Sequence, residues 1–121
     1  MKSIKEFVEN ILSDNQITSL TGNNKVYFLH NSKPISPYIT YEIIDESGEM
    51  WVEGKEIAVT YYVQVNIFSK TNDYSELENK IKEHMMRAGF ERAMSADLYE
   101  KDTELYHKAM RFTITINNGG I

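Results

Sequence analysis

The sequence predicts an α+β fold, a single and mainly antiparallel β-sheet with two helices packed on one face, in the order αβββαββ. Three observations lead there. Residues 4 to 13 and 73 to 88 repeat apolar side chains at helical spacing. Residues 56 to 68 alternate instead, with Ile57, Val59, Tyr61, Val63, Val65 and Ile67 on one face and Ala58, Thr60, Tyr62, Gln64 and Asn66 on the other. Strands buried on both sides of a parallel sheet would read as continuous apolar runs, so this alternation points to an antiparallel sheet covered on a single side. Finally, the strands come in runs set between two helices rather than in strict alternation with them.

The first helix carries Ile4, Phe7, Val8, Ile11 and Leu12 as its apolar stripe, and Ser3 with Glu6 supplies a capping-box start. Asp14 to Asn24 is polar, and Thr21-Gly22-Asn23-Asn24 favours turns because Gly and Asn tolerate left-handed backbone angles. A short strand from Lys25 to His30 ends before Pro34 and Pro37, which cannot donate to a ladder. Tyr38 to Ile44 and Glu56 to Phe68 are rich in β-branched and aromatic residues and read as the second and third strands. The second helix spans Asp73 to Ala88. Asp73 and Glu76 signal its start, Tyr74, Leu77, Ile81, Met85 and Ala88 form its stripe, and Gly89 stops it. Beyond it, Phe90 to Glu100 is a strand candidate whose pairing the sequence leaves open, and Lys101-Asp102-Thr103 is a turn. Leu105 to Ile116 is a clear strand, with residues 117 to 121 expected as a frayed tail.

At 121 residues the chain has the length of one domain and can bury roughly 65% of the surface its unfolded form exposes. One domain over residues 1 to 121 is expected, since no repeat, low-complexity stretch or linker interrupts it. Apolar residues at 41% and charged residues at 26% exclude disordered and fibrous classes. With no cysteine there is no disulfide framework, thiolate metal site or cysteine nucleophile. Glu6, Glu9 and Asn10 interrupt the N-terminal apolar pattern, so no signal peptide is expected, and no run is long enough to span a bilayer. A net charge of −5 repels phosphates and argues against nucleic-acid recognition.

Catalytic chemistry has no sequence support. His30, His84 and His107 lie on different elements without metal-ligand spacing, so neither a metal nor a cofactor is expected. The glycines form neither a dinucleotide-binding nor a P-loop pattern, and no serine stands in a nucleophile elbow.

The informative segment joins the second and third strands. Asp45, Glu46, Glu49, Glu53 and Glu56 face the single base Lys55, so these twelve residues account for four of the five net negative charges. Within it Met50-Trp51-Val52, holding the only tryptophan, lies between Gly48 and Gly54 at the tip of a hairpin extension. An apolar cluster with an acidic rim has the composition of a contact patch. The same tryptophan could equally fold back to cap its own sheet. A second contact candidate is the uncharged stripe of Thr60, Tyr62, Gln64 and Asn66, although solvated sheet faces look alike. Met50, Trp51, Val52, Glu49, Glu53, Tyr62 and Gln64 are the expected protein-contact residues.

Element order and several strings resemble the tail-terminator or tail-completion proteins of long-tailed phages. The matching pieces are the leading amphipathic helix, Val26-Tyr27-Phe28, Pro37-Tyr38-Ile39, the strand Val63 to Ser69, the helix ending at Gly89-Phe90, Tyr106-His107-Lys108 and Arg111-Phe112. The resemblance implies a structural virion or prophage protein that forms a ring, commonly of six subunits. That ring stops growth of the tail tube and offers a surface to the head connector. Its partners would be copies of itself, the tail tube protein and the connector, first in the host cytoplasm and then in the virion. It supplies no active site. Two other classes stay open on the residues alone: a small acidic module or inhibitor that binds a basic protein, and an enzyme using carboxylates or histidine on the sheet face.

Overall fold

The structure, a computed structural model, describes residues 3–117, with all side chains there except those of Glu49 and Met50. Helix α1 spans Ile4–Leu12, and the Ser3 hydroxyl accepts from the Glu6 amide at 3.1 Å, as the capping motif requires. A one-turn helix α2, Asn15–Thr18, follows where only turns were expected. Its start is capped by the Asp14 carboxylate, which accepts from the Gln16 amide at 2.8 Å. The strands are β1 (Val26–Phe28), β2 (Tyr38–Val52), β3 (Lys55–Ser69), β4 (Glu91–Glu100) and β5 (Leu105–Asn117), and α3 spans Ser75–Arg87 between β3 and β4.

The sheet has five strands in the order β1-β2-β3-β5-β4. It is antiparallel except at its β1 edge, where Val26 to Phe28 pair in parallel with Ile39 to Tyr41. The expected α+β class therefore holds, with a third short helix and one parallel pairing added. Phe90 to Glu100 resolves into a true edge strand, β4, which pairs along β5 with a bulge between Arg92 and Met94. Asn117, expected in the frayed tail, pairs with Ala58 as the last residue of β5, and residues 118 to 121 lie outside the described ones.

All three helices cover the same sheet face. Val8, Leu12 and Ile17 meet Ile39, Tyr41, Val63, Val65 and Ile67, while Leu77, Ile81 and Met85 complete one core with Met110 and Phe112. Tyr41 is buried there, which pushes its pKa up, and its hydroxyl donates to Glu9 at 2.7 Å, which adds to that shift and leaves the phenol satisfied. The start of α3 differs from expectation. Its N-cap is Tyr74, without a side-chain cap bond, and Asp73 lies outside the helix. Its end follows the glycine rule: Gly89 has φ of +108°, its amide donates to Met86 at 3.0 Å, and the Phe90 amide donates to Met85 at 3.1 Å. Phe90 thereby turns into the core, in ring contact with Phe7 and Phe112.

Candidate contact surfaces

Two surfaces project from this frame, and both involve β3. The first is the hairpin that β2 and β3 continue beyond the helices. Val52 pairs with Lys55 across a two-residue turn in which Glu53 and Gly54 have φ of +51° and +77°. Two positive φ angles identify the tight turn whose twist matches that of paired strands. Register shifts at Ile43/Asp45, Gly48/Met50 and Met50/Trp51 twist the arm. β2 therefore runs well past the Ile44 limit read from sequence, whereas β3 begins at Lys55, next to the expected Glu56.

At the tip, Trp51 is 60% and Val52 52% exposed, and Glu53 is exposed beside them. The indole lies over Gly48, since a Cβ there would stand 2.8 Å from the ring atom Cζ2. Trp51 thus rests on its own hairpin and still presents most of its ring to solvent. Of the other residues expected in contact, the side chains of Glu49 and Met50 lie outside the described ones.

The second surface is the sheet face opposite the helices. There Tyr62 is exposed, Gln64 half-buried and Asn66 buried, so the stripe read from alternation is real but is not simply wet. Asn66 is a hub. Its Oδ1 accepts from Gln64 Nε2 and from His107 Nε2, both at 2.7 Å, and its Nδ2 donates to Thr40 at 3.2 Å and Glu42 at 3.3 Å. Arg111 Nε donates to Gln64 Oε1 at 2.9 Å, and Thr60 shares a hydrogen bond with Thr115 at 2.7 Å. His107 also stacks on Phe68, which stacks on Tyr38. Burial lowers the His107 pKa against the opposing pull of Glu100 and Glu42, which favours the neutral ring donating to Asn66. This network spans β2, β3 and β5, so no single sequence window contained it.

Sequence reasoning also missed an apolar cleft at the root of the hairpin. Ile44, Tyr62, Met94 and Phe112 line it with Arg111 and Asp45, enclosing about 360 Å3. Ile44, Tyr62 and Met94 are all large apolar residues left exposed on one side of the sheet. Their only sequence signal was exposure of apolar side chains on the polar face of a strand, which becomes visible only once β4 is placed.

Among the described residues, no three His, Cys, Asp or Glu side chains converge as metal ligands would. No helix there is long and apolar enough to cross a membrane. His84 bonds Gln16 at 3.0 Å on the helical side, far in role and place from His107 on the opposite face. What the molecule displays is a helix-backed sheet whose opposite face and hairpin arm are left uncovered by the helices. The family model described as Tail completion protein gp17 matches residues 7–117, and the chain belongs to that family. It is a phage structural tail protein, whose family membership implies contact with other tail or head components. Comparison with curated proteins returned no match.

Proposed function

We propose that this chain is a ring-forming tail subunit that caps the tail tube and joins it to the head connector. The observation that carries this reading is the pair of surfaces the fold leaves unshielded within a tail-completion family member: the hairpin tip and the helix-free sheet face. A ring closes only through heterologous contacts, one patch against a different patch, and these two surfaces are different in chemistry and far apart in place. The contacts would use Met50, Trp51, Val52, Glu49 and Glu53 at the tip and Tyr62 and Gln64 on the sheet. Six copies would surround the tail axis, with the tail tube protein on one side and the connector on the other.

The task is one of shape and adhesion. It makes and breaks no covalent bond, uses no metal or cofactor, and needs neither a membrane nor nucleic-acid sequence recognition. Assembly would take place in the host cytoplasm and end in the virion. The reading as an inhibitor of a basic protein keeps only the charge of the hairpin in its favour, whereas family membership supports the tail.

Electron microscopy of particles produced with and without the chain tests the proposal. Its loss is expected to give tails of irregular length and heads without tails, and its presence a ring at the head-proximal tail end. Normal joined particles in its absence would overturn the proposal.

A further inference from the structure

We infer that the hairpin tip of one copy docks into the cleft at the hairpin root of the next, with Trp51 and Val52 entering between Ile44, Tyr62 and Met94. This rests on the ring reading above and names the contact that would build it. Three observations bring tip and cleft together.

The first is reach. Asp45 pairs with Tyr62, so the cleft sits where the arm leaves the body, and Val52 lies eight residues beyond Ile44 along β2. At about 3.3 Å per residue the tip stands on the order of 25 Å from its own cleft. A paired, twisted arm cannot fold back over that distance, so the cleft is open to another copy's tip and not to its own. Donor and acceptor sit at opposite ends of one hairpin, an arrangement that propagates from copy to copy and closes as a ring when the rotation between copies divides a full turn.

The second is fit. The tip exposes one indole and one isopropyl group, and the cleft encloses about 360 Å3. That lies at the low end of the roughly 300–1,000 Å3 range of ligand clefts, enough for a large side chain and its neighbour. Met94 is 56% exposed, and its unbranched thioether adapts to an aromatic ring.

The third is charge. The tip carries Glu53 and, opposite Trp51, Glu56 against the single base Lys55, with Glu46 further down the arm. Arg111 lines the cleft on the helix-free face. Among the described residues Arg111 has no carboxylate partner within ion-pair distance, and its Nε donates to the neutral Gln64. Asp45, also in the lining, accepts from the Glu46 amide at 2.8 Å and keeps its charge, so among the described residues Arg111 is the one cation and Asp45 the one anion of the cleft. A second hollow on this sheet face, around His107 and Asn66, has Glu42 and neither arginine nor lysine in its lining, so Arg111 distinguishes the cleft.

The chain has no cysteine, so introduced thiols report cleanly. Val52 and Met94 are both exposed, and the fold tolerates their replacement. Phage tails carrying Val52→Cys together with Met94→Cys, treated with a short bis-maleimide, are expected to yield a ladder of linked copies. Each single variant is expected to yield none. Linking by Val52→Cys alone would mean tip against tip and would overturn the contact. Tails that contain the chain at their end but give no ladder would overturn the contact while leaving the ring reading standing. Tails that lack the chain at their end would take down that reading and the contact with it. Independently, Arg111→Glu is expected to lower the yield of joined particles about tenfold or more, with Arg111→Lys near wild type. Equal yields from the two would also overturn the contact.

Discussion

Gly22 shows how one missing side chain closes the body of the protein. Its amide donates to the Pro37 carbonyl at 2.8 Å, and a Cβ at this position would stand 2.2 Å from the Ile35 carbonyl oxygen. Backbone, not a flexible side chain, occupies that space, so Gly22→Ala must push two segments apart. A loss of about 1–3 kcal/mol, read by urea unfolding, is the expected cost. His107 makes a second residue-scale case. Its folded pKa lies below its ordinary value of 6.5 because burial disfavours the charged ring. The unfolded chain therefore binds the proton more readily, so this contribution to stability is complete above pH 6.5 and is lost as pH falls through the lowered folded value. Stability measured between pH 7 and 5 should decline in the wild type, and His107→Gln should remove part of that slope. An unchanged slope would assign the effect to other groups.

Between elements, the tie from α3 to the β4–β5 edge is ionic. Lys108 is 7% exposed, donates to Asp97 at 3.1 Å and lies 3.6 Å from Glu78, which also pairs with Lys82. Tyr74 donates to the other Asp97 oxygen at 2.7 Å, and its burial, reinforced by this bond, lifts the phenol to about 12. Lys108→Ala should cost about 1–3 kcal/mol, at the low end if solvent around the largely exposed Asp97 screens the pair. The Tyr74 and Lys108 hydrogen bonds hold the Asp97 carboxyl below its ordinary 3.8. Its stabilisation is thus present above that value and disappears as pH falls below it through the folded value, and Asp97→Asn should flatten the acid limb of the stability curve. The hairpin turn is a separate element. Gly54→Ala should cost about 1–2 kcal/mol because its φ is +77°. Glu53→Asn should gain a few tenths, since asparagine accepts the left-handed region more easily. Hydrogen exchange of the amides from Gly48 to Ala58 would show both changes confined to the arm.

At the scale of the molecule, stability and assembly reside in different places. The core lies under the helices, whereas Trp51 stands 60% exposed at the end of the arm and adds little to it. Trp51→Ala should therefore leave the thermal midpoint near wild type and still abolish joined particles. A midpoint lowered in step with the assembly defect would tie Trp51 to folding instead. The amino-acid order alone determined both long helices, the alternation of β3 and the Gly89 stop, because each is written in neighbours one to four residues apart. It also marked the hairpin as acidic and carrying the tryptophan. It left unread the parallel pairing of the short strand β1, the full reach of β2, whose bulges break the alternation, and the Glu53-Gly54 turn, whose first residue is not the usual asparagine. The Asn66 hub and the Ile44–Met94 cleft belong to the tertiary structure alone. Each gathers residues from at least three strands, and only hydrogen-bonded register brings side chains so distant in sequence onto one patch.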